Sequence, residues 1–378
     1  KMKINSLENM GIIPRPTYAV IDMKRFGSNI DIARNLSKSD IIAVVKADAY
    51  GHGAKVLAKY AYEEKNIRNF AVATMIEGIE LRKVLSSKDT KIVVLGYVSD
   101  SFFKEALQAS LTLPVFDYRY AEIISKAAKE LDIEAHVALE IDTGMSRLGF
   151  SYEIQLLELL KQYKNIHVDF AISHLATSDC DNSYAHIQTE RFDKFLEINK
   201  GYTFATSFLN SSGIANFENR WTFTRPGLFL YGYDSTNVIK DLQPVMSLWS
   251  EIAHVKFLKK GESVGYGRTF FAPKDMIIGV IPIGYADGYR RSFSNKGYVL
   301  AGNIKCHVIG NVCMDMTMID VTELGKNCIG QKVQIMGDDI TASTLSRWAD
   351  TIEYEILCGI SDRVPRVYKY EEGYFEIF

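Results

Sequence analysis

Between about residue 40 and residue 230 the chain alternates short apolar runs with longer stretches of helical periodicity, and no other feature limits its fold as strongly. Eight runs have strand length: residues 41–46, 70–74, 92–95, 112–116, 135–141, 168–173, 204–209 and 222–225. The stretches between them, such as 121–131, 154–163 and 187–198, repeat apolar residues at helical spacing. Eight strand-helix units over about 200 residues predict parallel strands closed into a (β/α)8 barrel. A further strand at 17–23 precedes the barrel and must pair elsewhere. Beyond about residue 240 the helical periods fade. Runs at 250–258, 277–283, 298–304, 317–321 and 332–336, separated by glycines and turn dipeptides, predict a smaller, mostly antiparallel β domain with one helix near 344–351. The predicted organisation is α/β: a barrel over residues 11–240 and a β domain over 241–378, with residues 1–23 partly associated with the latter. A chain of 378 residues is too long for one ordinary core, which agrees with two domains.

Charge excludes some partners. Lys plus Arg total 44 against 46 Asp plus Glu, a net charge of -2, and no basic run is dense enough for a nucleic-acid footprint. The five cysteines, Cys180, Cys306, Cys313, Cys328 and Cys358, are odd in number and widely spaced, unlike a disulfide framework or a CxxC metal site. Reduced thiols, a cytoplasmic setting and no bound metal are the expectation. No stretch approaches the roughly 20 uninterrupted apolar residues of a membrane helix. The sequence begins at Lys1 rather than at a methionine, leaving room for an upstream segment.

In a barrel of this kind chemistry collects at the C-terminal ends of the strands. Lys46 closes the run IIAVVK, Arg147 follows the fifth barrel strand, His174 ends the sixth, Asn210 and Ser211 end the seventh, and Arg225 ends the eighth. Partial burial would depress the pKa of Lys46 and free its amine as a nucleophile for Schiff-base formation. The bland alternative is a lysine reaching from a core strand to water.

The segments AVVKADAYGHG around Lys46, EIDTGMSRLGF from Glu140, RPG at Arg225, VGYGR around Tyr266 and CMDM from Cys313 together resemble the alanine racemase family, in order and spacing over nearly the whole chain. That resemblance implies pyridoxal 5'-phosphate carried on Lys46, and a head-to-tail homodimer with shared sites acting on a small amino acid. It further implies phosphate contacts from Tyr50 and Ser211, helped by amides near Gly213, Gly227 and Leu228. The alternatives are a packed aromatic for Tyr50 and a helix cap for Ser211. Arg225 would face the pyridine nitrogen as a donor that keeps its proton, since a guanidinium pKa lies above about 12. Tyr266, from the other subunit, would be the second base opposite Lys46, its phenol lowered by His174 and Arg225 through a hydrogen-bond chain. Met314 and Asp315 of the partner would meet the substrate carboxylate, with Cys313 in support.

Two positions depart from the family. Glu140 stands where a carbamate-modified lysine is often found; a permanent anion there would orient Arg147 toward the cofactor or substrate. Asp362, in GISDRVPRVY, stands where a tyrosine is typical, leaving room and an acceptor near the substrate side chain. The expectation is therefore use of serine as well as alanine, as in the serine and alanine racemases of vancomycin resistance, which supply D-amino acids for peptidoglycan precursors. Their racemase domain follows a membrane domain, so this chain would be a soluble cytoplasmic domain of a larger protein. A strict alanine racemase, a barrel-type decarboxylase and a non-catalytic carrier of the cofactor are the competing readings. Arg225 argues against the decarboxylase and the second domain against the carrier.

Overall fold

The structure, a computed structural model, describes residues 13, 15–87, 89–371 and 374–377. The chain divides into two units: one holds Gly27–Ala49 and Gly53–Gln243, the other Tyr50–His52 and the chain from Pro244 onward, with the segment ending at Phe26. The first strand, β1 (Tyr18–Asp22), belongs to the second unit and is described with it.

In the first unit eight strands run parallel: β2 (Asp40–Val44), β3 (Asn69–Val72), β4 (Lys91–Val94), β5 (Leu113–Val115), β6 (Ala135–Asp142), β8 (Ile166–Ile172), β9 (Ala205–Asn210) and β10 (Phe223–Arg225), while the short β7 (Phe150–Ser151) pairs beside β6. The order β4-β3-β2-β10-β9-β8-β6-β5 returns on itself through a bridge between Val93 and Thr112, and the Val94 amide donates to Thr112 O (3.0 Å). The result is the nearly closed barrel that the alternation of apolar runs predicts. Strands such as Ile41–Ile42–Ala43 are apolar on both faces because barrel interior and helix layer each bury one. Phe170, Phe192, Phe195 and Phe208 are fully enclosed, each worth roughly 1.5–3 kcal/mol of burial.

In the second unit β1 pairs antiparallel with β11 (Met246–Glu251) and parallel with a strand near the chain end. The remaining strands in chain order are β12 (His254–Leu258), β13 (Ser263–Val264), β14 (Phe270–Phe271), β15 (Met276–Ile281), β16 (Tyr298–Ala301), β17 (Ile304–His307), β18 (Thr317–Asp320), β19 (Lys332–Met336), β20 (Arg366–Glu371) and β21 (Tyr374–Ile377). They form a seven-stranded sheet β17-β16-β19-β11-β1-β20-β21, a three-stranded sheet β12-β15-β18 and the hairpin β13-β14. The single run expected at 250–258 is two strands in different sheets, parted at Ile252 and Ala253, and the run at 298–304 is a hairpin turning at Gly302. Beside the expected helix, here Ala342–Ala349, lies a second, Glu353–Cys358. The five cysteines are free. Among the described residues no helix is long and apolar enough to cross a membrane.

Candidate functional site

The Lys46 strand is fixed at its end: the Val44 amide donates to Pro226 O (3.1 Å), and its carbonyl accepts from the buried Tyr231 hydroxyl (2.8 Å). Lys46 then opens a turn, Lys46–Gly51, in which Ala47, Asp48, Ala49 and Tyr50 all have φ between 51 and 54°. Four consecutive non-glycine residues in the left-handed region cost about 1–2 kcal/mol each. Contacts at both ends hold them: Glu77 Oε1 accepts from the Ala47 amide (2.7 Å), and Asp48 Oδ1 accepts from the Ala54 amide (2.8 Å). Glu77 also closes the capping box of the helix Met75–Val84, taking the Ala73 and Thr74 amides on its other oxygen. Glu77 thus ties the Lys46 turn to the helix Met75–Val84, a role with no mark in the sequence beyond the Thr-x-x-Glu pattern.

Arg225 is buried at the end of β10, its Nη1 donating to Ser207 Oγ (2.7 Å) and its Nη2 to Ser173 O, with His174 Nδ1 3.5 Å away. Burial pulls the guanidinium down to about 10, with Glu140 opposing, so it remains a cation at neutral pH. His174 is neutral: burial first, then Arg225, Arg147 and Lys46, push its imidazole down to about 3. This corrects the expectation that His174 adds positive charge for lowering a phenol. Gln188, fully buried on the helix Asn182–Ile198, donates to His174 O (3.0 Å) and accepts from the Ala176 amide (2.8 Å), fixing the loop that carries His174. Ser207 and Gln188 escaped the sequence reading; their only signal is a polar residue inside an apolar pattern.

Asn210, rather than Ser211, caps the short helix Ser211–Asn216, its Oδ1 accepting from the Gly213 amide (2.9 Å). Ser211 is released for another task. Its buried Oγ accepts from the Gly227 (3.0 Å) and Phe229 (3.3 Å) amides, and among the described residues no acceptor takes its own proton. Leu228 lies between those amides, opening the turn Leu228–Tyr231.

The charges of Arg147 and Arg225 act on both His174 and Glu140, and that of Lys46 on His174 as well, around a neutral histidine. The sequence reading makes Glu140 a permanent anion. Instead, burial raises it to about 7, more than Arg225 and Arg147 pull it down. The cations Arg147 and Arg225, a raised carboxyl and the buried Ser211 hydroxyl, with its proton to donate, fit an anionic group such as a phosphate ester. A raised carboxyl binds more protons folded than unfolded, so its stabilising effect is present at low pH and lost as pH climbs from the ordinary carboxylate range through about 7. Thermal unfolding of cofactor-free protein from about pH 5 to about pH 8 should show that decline, worth up to about 3 kcal/mol. Glu140→Gln should remove it; an equal decline in the variant assigns it to another group.

In the second unit Tyr50 is buried against Tyr354, ring centroids 5.7 Å apart, and burial raises its phenol far above the usual range. Gly51 follows it at φ 78°, where a Cβ would lie 2.4 Å from Leu357 O. Tyr266 sits on a turn between Gly265 (φ 69°) and Gly267 (φ 73°), its carbonyl held by Asn311 Nδ2 (2.8 Å) and its side chain 73% exposed. Cys313 and Met316 close a turn through the Cys313 amide (3.0 Å) that presents Met314 and Asp315 to solvent, and burial raises the Cys313 thiol. Gly284 packs beneath it, where a Cβ would meet Cys313 O and Met314 O at 2.3 Å. Asp315 pairs with Arg363 (2.7 Å), the residue after the exposed Asp362.

Two family models match: alanine racemase, N-terminal domain, over residues 21–235, and alanine racemase, C-terminal domain, over residues 245–368. The chain belongs to the alanine racemase family. Alanine racemase 1 of Clostridium acetobutylicum is 39% identical over 371 residues, 94% of this chain and 95% of that protein. The alanine racemase of Clostridium tetani is 38% identical over 375 residues, with coverage of 94% and 95%. Among solved structures, alanine racemase of Clostridium difficile 630 has a TM-score of 0.90 at 32% identity, covering 96% of this chain and 98% of that one. The alanine racemase of Bartonella henselae with covalently bound pyridoxal phosphate has a TM-score of 0.86 at 28% identity, covering 94% and 100%. Family membership makes this racemase an isomerase in a pyridoxal-phosphate-dependent family.

Proposed function

We propose that this racemase interconverts the enantiomers of serine as well as alanine, using Lys46 on one face of the substrate α-carbon and Tyr266 of a second subunit on the other. The observation that carries the reading is the barrel mouth where the charges of Lys46, Arg147 and Arg225 act on a neutral His174, and where burial raises Glu140 to about 7. Pyridoxal 5'-phosphate, when bound, withdraws electrons from the α-carbon and lowers the cost of taking its proton. Lys46 would hold the group, Ser211 with the Gly227 amide would take its phosphate, and Arg147 would approach its phenolic oxygen. Arg225, protonated and clamped by Ser207 and the Ser173 carbonyl, would donate to the ring nitrogen without yielding its proton. Lys46 and Tyr266 would then remove and return the α-proton from opposite faces.

The exposure of Tyr266 and Met314 supports a head-to-tail dimer in which each subunit completes its neighbour's site, with the backbone amides of Met314 and Asp315 meeting the substrate carboxylate. Serine rests on Asp362: a short carboxylate offers an acceptor to a substrate hydroxyl where an aromatic side chain would fill the space. The same residue supports a place among serine and alanine racemases of the vancomycin-resistance kind, supplying D-amino acids for peptidoglycan precursors. The test is circular dichroism of L-serine and L-alanine incubated with the yellow holoenzyme. Asp362→Tyr should lower the serine-to-alanine ratio of kcat/KM by about 10-fold or more. An unchanged ratio refutes the role of Asp362, and a wild-type enzyme inert toward serine leaves a strict alanine racemase.

A further inference from the structure

At the N-terminal ends of the barrel strands, the end opposite Lys46, a cluster stands that racemisation does not use. His136 on β6 and His167 on β8 are direct cross-strand partners, and Asp169 lies two residues along β8 on the same face as His167. His136 Nδ1 is 3.0 Å and His167 Nε2 3.6 Å from Asp169 Oδ1, and one ligand atom from each residue fits within 4.8 Å of the other two. The site is empty. We propose that His136, His167 and Asp169 form a binding site for a divalent transition metal ion of the zinc type.

Zinc bonds of about 2.0–2.2 Å in tetrahedral geometry place ligand atoms about 3.4 Å apart, so small side-chain rotations suffice to close the three around an ion. Two imidazoles and one carboxylate are a ligand set for zinc, nickel or cobalt rather than magnesium or calcium. Asp169 is buried while both histidines are half-exposed, so the ion has a way in and water can fill a fourth position. A cavity of about 770 Å³ adjoins the cluster, lined in part by His136, Asp169 and Lys91.

The metal-free state neutralises the carboxylate differently. Lys91 Nζ lies 2.5 Å from Asp169 Oδ1, the oxygen both histidines face, while Thr112 Oγ1 donates to Oδ2 (3.1 Å). Lys91 is therefore a competitor for the metal, and its half-exposed side chain can turn toward the cavity when an ion arrives. Thr112 keeps its bond and orients the coordinating carboxylate. Bound metal would tie β6 to β8 at the end of a barrel where residues serve stability rather than chemistry.

The test titrates metal-stripped holoenzyme with zinc chloride by calorimetry, comparing wild type, a His136→Gln/His167→Gln double variant and Lys91→Met. Expected are one site per chain in the wild type, at least about a 100-fold loss of affinity in the double variant, and a several-fold gain in Lys91→Met with racemase activity unchanged. A cluster that is only structural would not bind more tightly when Lys91 is lost. No zinc uptake by the wild type, uptake unaltered in the double variant (which would assign it to the cysteines), or no gain in Lys91→Met would each overturn the assignment.

Discussion

Lys46→Ala is expected to lower racemisation by about 10⁴-fold or more and to leave purified protein colourless after incubation with pyridoxal phosphate. One side chain carries two tasks in this reading, holding the cofactor and moving a proton on one face, and both are lost together. The fold should survive. The left-handed turn after Lys46 is held by Glu77 on the Ala47 amide and by Asp48 on the Ala54 amide, contacts that an alanine at 46 leaves in place. Far-ultraviolet circular dichroism and the unfolding midpoint of the cofactor-free protein should therefore match wild type. A yellow Lys46→Ala protein with more than about one per cent of wild-type turnover would refute the role given to Lys46.

The barrel was legible because its strands are short runs of β-branched and small apolar residues enclosed on both sides, as in Ile41–Ile42–Ala43, separated by helices of clear period. The rim was legible for the same reason: polar residues that interrupt such runs at their C-terminal ends stand out, as Lys46, His174 and Arg225 do. The second unit was harder. Residues 250–258 read as one strand because alternation continues through Ile252 and Ala253, while the break between two sheets is made by long-range pairing of β11 with β19 and β12 with β15. The hairpin at 298–304 carried its signal in Gly302–Asn303, a turn dipeptide. β20 pairs with β1 from the far end of the chain, and local pattern holds no trace of that. Nor could Ala47 to Tyr50 announce a left-handed turn, since none is glycine; the conformation is imposed by Glu77 and by the residues that follow it. The charge state of His174 and of Glu140 was equally hidden, because burial decides both, aided at His174 and opposed at Glu140 by the charges of Arg225 and Arg147.

Tyr266→Phe is expected to cost about 10²–10⁴ in kcat, with little effect on folding, because the phenol stands 73% exposed. Its turn has a defined shape: Gly265 and Gly267 adopt positive φ on either side, and Asn311 holds the Tyr266 carbonyl. A solvent-exposed phenol is unsuited to proton transfer within its own chain, where a base must act in a site that water has left. Its exposure suits a group that enters a neighbour's site. Mixing the two inactive variants distinguishes these cases. In a heterodimer of Lys46→Ala with Tyr266→Phe subunits, one shared site receives both substitutions and the other receives neither. Heterodimers purified by two different tags should therefore recover about half of wild-type specific activity, and an equal random mixture about a quarter. If each site is built from a single chain, every site in the heterodimer carries one lesion and activity stays at the level of the parents, which would end the shared-site account while leaving the Lys46 assignment intact.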